Sequence, residues 1–593
     1  MSTEWVGIHA DGCIGDGEPD LQESTRMSSI KTEYDAAVAR ITAPGAPFEL
    51  VNATIDGVDY RLYRNAPRSL AEVFAQATVH GDSEFLVYEG ERWSFAQLLA
   101  QGARIAHALH RHCGIRQGDR VAIAMRNYPE WMSAFIGIAT LGAVAVPLNS
   151  WGQARELAFA LDDAGARAVF CDQQRCDQLA AHVAGTGLAA IVARPSGVGL
   201  PAGARSLEDF IADIDDTAFP AVDIGPEDLA LMMYTSGTTG TPKGALSTQR
   251  AVCQSLMNFD CQAMASAMIN PEAIGAMMKK GFPPTQLLAV PLFHVSGCHA
   301  VFLCALRGGR RVVMMYKWDV RKALELIQRE RVTALSAAPG MLMELMESPD
   351  FERFDTLSLS GIGGGGAATP PRAARLFMDK VADSYPGAGW GLTETNSNGS
   401  ACTGRPFREK PGTAGFLHPT VDLSIRDEEG NELPQGVPGR LWVRTPTLVS
   451  GYWNRPEANE TEFRDGWFDS GDIGYLDDDG YLFLSDRAKD LVIRGGENIY
   501  PAEIEGAILE CPEIDEVAAF GVPDETWGEQ LAVVVHATPG MTISVEDVKR
   551  FAAGKLAHFK VPHYVEVRSE HLPRNATGKI MKKDIRAEFL QKL

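Results

Sequence analysis

Residues Tyr234 to Ala245 read "YTSGTTGTPKGA", directly behind the apolar, β-rich run "LALMM" of Leu229 to Met233. Five hydroxyl residues (Thr235, Ser236, Thr238, Thr239, Thr241), three glycines (Gly237, Gly240, Gly244) and Lys243 fall within ten positions. A loop of that make-up after a buried strand offers backbone N–H groups and hydroxyls to an anion, and the lysine adds a point charge suited to phosphate. A polyphosphate site on an α/β domain is the reading. It is not a Walker P-loop, since Lys243 follows Pro242 and precedes Gly244, where that motif needs Gly and Ser or Thr. A flexible Ser/Thr linker fits poorly between a strand and an ordered Pro-Lys-Gly.

The chain on either side supports an α/β fold. From about Arg120, short apolar runs ("RVAIAM", "AVAVPL", "RAVFC", "LALMMY", "LLAVPL", "RVVMMY") alternate with helix-length amphipathic segments such as "DVRKALELIQRERV", the pattern of parallel βαβ units. After Gly439 the texture changes to strands and turns, and beyond Lys489 about a hundred residues suffice for a small α+β domain. The expected division is an extension over 1–45, partly disordered, a large multi-subdomain domain over 46–488 and a small domain over 489–593. "WMSAFIGIATLGAVAVPL" (Trp131 to Leu148) has the length of a membrane span, yet Gly137, Gly142 and Pro147 punctuate it, so it reads as a buried helix, a turn at Gly142 and a strand.

Composition narrows the function. Among 593 residues, 55 basic against 77 acidic side chains give a formal charge of -22, and no basic patch stands out, so a nucleic-acid partner is excluded. Ten cysteines lie scattered without a C-x-x-C pair, which favours free thiols in a reducing, cytoplasmic setting over a disulfide framework or structural zinc. In "HALHRHC", His107 and His110 could share a helical face, but His112 and Cys113 point elsewhere, and solvated histidines are the expectation. The first twenty residues have neither a basic n-region nor an apolar h-region, so they do not read as a signal peptide, and Met27 is an alternative start.

Four further stretches make the phosphate loop specific. "YTSGTTGTPKGA" resembles the phosphate-binding signature of the adenylate-forming superfamily, which includes acyl-CoA synthetases, peptide-synthetase adenylation domains and firefly-type luciferases. "GWGLTET" (Gly389 to Thr395), "GWFDSGD" (Gly466 to Asp472), "SDRAKDLVIRGGENIYPAEIE" (Ser485 to Glu505) and "LPRNATGKI" (Leu572 to Ile580) resemble its remaining elements, in family order. The resemblance runs from about Arg61 to the end and is closest to fatty-acid-CoA ligases. It implies a small, mobile C-terminal domain, with ATP, Mg²⁺ and coenzyme A serving a small carboxylic acid, and leaves a homodimer open.

Carried over by position, the resemblance implies that Thr235, Ser236, Gly237, Thr238, Thr239, Gly240 and Lys243 hold the β- and γ-phosphates, that Thr393 contacts the α-phosphate and that Glu394 binds Mg²⁺. Trp390 is implied to stack near the adenine, beside a wall formed by Gly363 to Gly366 and Ala367. Asp472, helped by Arg487, is implied to accept the ribose hydroxyls. Lys579 is implied to bridge the substrate carboxylate and the α-phosphate, with His294 in "VPLFHVSGCHA" near that carboxylate and Lys489 as the hinge. Departures are Trp390 in place of the usual Tyr, Ser470 in place of Thr, Ala388 in place of a polar residue in some relatives, and Gly495 and Asn498 where some relatives place side chains facing CoA.

The leading expectation is an acid-CoA ligase that forms an acyl-AMP and then a thioester. With no carrier domain after Leu593, a fused synthetase is not expected, while a free-standing acyl-AMP ligase loading a carrier protein stays open. A catalytically silent nucleotide-binding relative is disfavoured by Lys579, Glu394 and Asp472 together, and nothing supports a luciferase-like oxygenase. The four glycines suggest a roomy acyl pocket. Met264, Met268, Met277 and Met278 suit either an apolar acyl entrance or ordinary core packing. Together these favour a fatty or bulky apolar acid over acetate.

Overall fold

Buried parallel strands need apolar side chains on both faces, and the runs read as strands form the interiors of two large sheets. The computed structural model describes residues 29–593 apart from 198, 236–241, 367, 368, 382 and 496. One eight-stranded sheet takes the order Gly451–Tyr452, Lys243–Thr248, Leu229–Thr235, Val144–Pro147, Arg120–Ala124, Ala168–Asp172, Ala189–Ala193, Ala204–Ser206. It is parallel from Leu229–Thr235 onward and antiparallel at the Lys243 end. A nine-stranded sheet has a parallel centre running from Tyr385–Gly391 through Gly361–Gly364, Ala334–Ala337, Thr285–Leu288 and Arg311–Met314 to Glu84–Tyr88.

One apolar core joins the two sheets through helices Phe95–Cys113 and Pro129–Thr140, with Leu98, Ile105, Trp131 and Phe135 meeting Val121 of one sheet and Val313 of the other. The helices cross so closely that a Cβ on Gly102 would lie 2.5 Å from Ile136 Cγ2. The stretch Trp131 to Leu148 is, as its glycines indicate, a helix to Thr140, a turn at Gly142 with φ of 71° and the strand Val144–Pro147. Among the described residues no helix is long and apolar enough to cross a membrane.

A third sheet, built on strands Asp422–Arg426, Gly439–Arg444, Trp467–Leu476 and Leu482–Arg487, completes the large domain. Four residues later the chain enters a fourth, through Val492–Arg494, which pairs into the long hairpin Ile514–Asp524 and Gly528–Ala537 of the small domain. The amino-terminal extension ends in structure: Ile30–Thr42 is a helix capped by Ser29, and its Tyr34, Ala37 and Ile41 pack on Met257, Cys261 and Ala265. The histidines of "HALHRHC" have separate partners, His107 at Ala218 O, His110 at Ile115 O and His112 at Asp213, so they share no ligand site.

Candidate active site

Thr235 and Lys243 are direct partners across an antiparallel hairpin, so the phosphate loop joins two neighbouring strands at the sheet end. Tyr234 anchors the hairpin by donating to Asp163 Oδ2 at 2.8 Å. Among the described residues the buried Thr235 hydroxyl has no hydrogen-bond partner, a state of the kind a bound anion satisfies. Ser236, Gly237, Thr238, Thr239 and Gly240 lie outside the described residues, as does Ala367.

Lys243 is buried and donates to Glu462 Oε1 at 2.6 Å, with its ammonium 4.0 Å from the centre of the Tyr452 ring. The Tyr452 hydroxyl lies 2.9 Å from both Glu462 Oε2 and Glu394 Oε1. Burial and the two carboxylates hold this phenol firmly neutral. Burial also raises the Glu394 carboxyl above its ordinary value, against the Tyr452 hydrogen bond and the charges of Arg487 and Lys243. A carboxylate oxygen is a ligand for a hard divalent ion, whose remaining positions phosphate oxygens and water would complete.

Glu394 sits in the 3₁₀ turn Thr393–Thr395 behind the strand Tyr385–Gly391. A Cβ on Gly391 would lie 2.5 Å from Ser397 O, so only glycine permits this return of the chain. Asn396 and Ser397 follow with φ of 50° and 68°. The strained backbone is held by a buried network: Asn396 Oδ1 accepts from Ser247 at 2.9 Å and lies 3.0 Å from His299 Nε2, while Asn396 Nδ2 donates to Thr447 O. His299 was not anticipated from the sequence. It lies on the π-helical turn Ser296–Leu303, and burial takes its pKa down to about 4. His294, just before that turn, is likewise taken down to about 4 by burial and stays neutral near pH 7.

Asp472 and Arg487 are register partners on adjacent strands, and Arg487 Nε meets Asp472 Oδ1 at 2.8 Å. The other oxygen, Oδ2, accepts from Trp390 Nε1 at 2.8 Å. Trp390 is only 5% exposed, packs with Val421, Leu441 and Leu482, and orients the carboxylate of Asp472. An indole of this size is buried by the third sheet and directs its one N–H at the carboxylate. The four glycines from Gly363 to Gly366 divide into two kinds. A Cβ on Gly363 would meet Ser336 Oγ at 2.7 Å and on Gly364 Thr369 Oγ1 at 2.8 Å, so these two allow close packing, while Gly365 and Gly366 face open space. Met264, Met268 and Met278 are exposed, which removes the core-packing reading for them.

Lys579 comes from the small domain on a loop pressed against the large one. Gly578 has φ of 82°, and a Cβ there would lie 2.8 Å from Met341 Sδ of helix Pro339–Glu347. Asn575 Oδ1 accepts from the Lys579 N–H at 3.0 Å, shaping the loop. Lys579 is open to solvent by surface area yet surrounded within the cleft. That crowding first, and Arg487 next, lower its pKa, while Asp472 pulls the other way. Lys579, Asp472 and Arg487 are thus electrostatic neighbours although 92 residues separate Lys579 from Arg487 in sequence. Lys489, in the 3₁₀ turn Ala488–Asp490, is exposed and lies between the last strand of the large domain and the first of the small one.

Comparison with known proteins gives this arrangement a family. The model of the AMP-binding enzyme family matches residues 73–453, and that of the AMP-binding enzyme C-terminal domain matches residues 503–579. A long-chain-fatty-acid–CoA ligase, FadD13, of Mycobacterium tuberculosis is 35% identical over 84% of this chain and 93% of its own length. A feruloyl-CoA synthase of an Amycolatopsis species is 33% identical over 84% of this chain and 94% of its own. ATP-bound MatB from Rhodopseudomonas palustris superposes with a TM-score of 0.76 at 31% identity, covering 88% of this chain and 99% of that one, and apo MatB with 0.66 at 30% identity and the same coverage. With both halves matched, this chain belongs to the AMP-binding enzyme family of adenylate-forming acyl-CoA ligases.

Proposed function

We propose that Lys579, Thr393, Glu394, His294, Asp472 and Lys243 carry the two half-reactions of this ATP-dependent acid-CoA ligase, and that its acid is fatty or bulky and apolar. In the first half-reaction a carboxylate oxygen attacks the α-phosphorus and pyrophosphate leaves. In the second the CoA thiol attacks the acyl carbonyl and AMP leaves. The observation that supports the reading is the convergence of Lys579 from one domain with Asp472 and Arg487 from the other. A cation placed there stabilises the charge that develops between carboxylate and α-phosphate.

The remaining roles follow from the geometry. The orphaned Thr235 hydroxyl and Lys243 would face the outer phosphates, with Thr393 toward the α-phosphate. Mg²⁺, held at Glu394, neutralises phosphate charge when bound. Asp472, already oriented by Trp390 and Arg487, keeps lone pairs for two ribose hydroxyls. Neutral His294 positions the acid without adding charge. The open faces at Gly365 and Gly366 leave room beside them for a bulky acyl group. A cytoplasmic setting agrees with the nine described cysteines, all unpaired.

The test is a panel of carboxylic acids scored by CoA-dependent AMP release. Fatty or bulky cyclic acids are expected to exceed acetate in kcat/KM by orders of magnitude, and acetate as the best substrate would overturn the assignment of the acid. Release of AMP only with a holo-carrier protein, and not with CoA, would overturn the acceptor.

A further inference from the structure

A second cluster of chemistry-bearing side chains lies on the small domain, away from Glu394. The hairpin strands Ile514–Asp524 and Gly528–Ala537 pair Ile514 with Ala537 and then Glu516 with His536, which leaves Asp515 as an extra residue in a bulge. A bulge sets two residues against one and re-aims a side chain. Here it brings the Asp515 carboxylate to His536 and the Glu516 carboxylate to Arg574 and His571. Asp515 Oδ1 lies 2.6 Å from His536 Nδ1, and Glu516 Oε1 accepts from Arg574 Nη2 at 2.7 Å and lies 3.3 Å from His571 Nδ1. The His571 ring lies on the His536 ring, with centres 4.2 Å apart and planes 31° apart.

The charges within this cluster are unevenly matched. Glu516 is occupied by Arg574 and by the Leu572 N–H, while Asp515 has the His536 ring alone beside it in the cluster. One ligand atom each from Asp515, His536 and His571 lies within 4.8 Å of the other two. Ligands around one ion sit about 3 to 4 Å apart at metal–ligand distances near 2.1 Å, so a rotation of His571, whose side chain is 68% exposed, closes the set. Two imidazole nitrogens and one carboxylate oxygen select zinc-like transition metals over Mg²⁺, which prefers oxygen ligands alone.

We propose that Asp515, His536 and His571 form a binding site for one divalent transition-metal ion of the zinc class, separate from the Mg²⁺ position at Glu394. All three ligands belong to the small domain, so the set stays together whichever way that domain turns. Asp515 and His571 line the cleft between the domains, whose opposite wall includes Glu344 and Glu347 of the large domain.

The experiment uses the full chain, free of any affinity tag and stripped with a chelator, titrated with Co²⁺ as a visible-absorption probe and with Zn²⁺ in competition, in millimolar Mg²⁺. One equivalent of Co²⁺ is expected to bind with ligand-field bands that Zn²⁺ removes and Mg²⁺ does not. His571→Ala, at an exposed position, and Asp515→Asn are each expected to weaken binding roughly tenfold or more, while Glu394→Gln leaves it unchanged. Absence of stoichiometric binding, displacement by Mg²⁺, or equal affinity in His571→Ala and the parent would overturn the site. Unchanged thermal midpoints of the two variants without metal establish that a loss is not misfolding.

Discussion

Lys243 does not wait free in its loop: Glu462 holds it at 2.6 Å, and the Tyr452 hydroxyl ties Glu462 to Glu394. A triphosphate arriving at Lys243 must displace a carboxylate from a buried ammonium. Glu462→Gln keeps a hydrogen-bond acceptor but removes the competing charge, so KM for ATP in pyrophosphate exchange is expected to fall several-fold with kcat little changed. A rise in KM would show instead that Glu462 aims Lys243 at the phosphates. Alanine is the wrong choice here, since it strands a buried cation at a cost of about 3 to 5 kcal/mol. Lys579 gives a second residue-scale prediction. Lys579→Ala should lower acyl-AMP formation roughly a hundredfold or more while sparing much of the conversion of supplied acyl-AMP. The proposed role needs the ammonium form, and crowding and Arg487 lower its pKa, so kcat/KM for ATP should fall on the alkaline side before the ordinary lysine range. A flat alkaline profile, or equal loss of both half-reactions in Lys579→Ala, would remove that role.

At the scale of elements, Trp390 links the strand Tyr385–Gly391 to the third sheet through Asp472. Trp390→Phe keeps the apolar packing and deletes the 2.8 Å hydrogen bond to a carboxylate, worth about 1.5 to 3 kcal/mol. The expected outcome is a KM for ATP raised roughly tenfold or more, and an unchanged KM would mean that Arg487 alone orients Asp472. This contact also marks where sequence reading stopped. Buried parallel strands such as Arg120–Ala124 and Ala168–Asp172 are legible because they are apolar without interruption, and Val320–Glu330 because its stripe repeats at helical spacing behind the Asp319 cap. The direction of an indole N–H carries no such local signal. His299 was missed for a related reason, since its partner Asn396 lies 97 residues away and a π-helical turn has no pattern to read. The glycines were legible as a wall, but whether each opens space or admits a neighbour depends on Ser336 and Thr369, which only the folded strands bring there.

At the scale of the whole molecule, the role proposed for Lys579, serving adenylation and then making way for CoA, requires a second orientation of the small domain. In the present one Lys579 feels the charges of Asp472 and Arg487. The last strand of the third sheet ends at Arg487 and the first strand of the small-domain sheet begins at Val492, so a reorientation has only residues 488–491 in which to take up the backbone change. Domain contacts elsewhere are few-atom contacts that can part, such as Arg372 donating to Ile514 O and Gly578 against Met341. Proline at 489 fixes φ near −65°, a value a 3₁₀ turn already uses, and restricts Ala488 before it. Lys489→Pro is therefore expected to retain pyrophosphate exchange within a few-fold and to lower thioester formation from supplied acyl-AMP roughly tenfold or more. Retention of both activities would place the pivot at another of the four residues, and equal loss of both would show that the substitution disturbs the fold of the turn rather than its freedom to move.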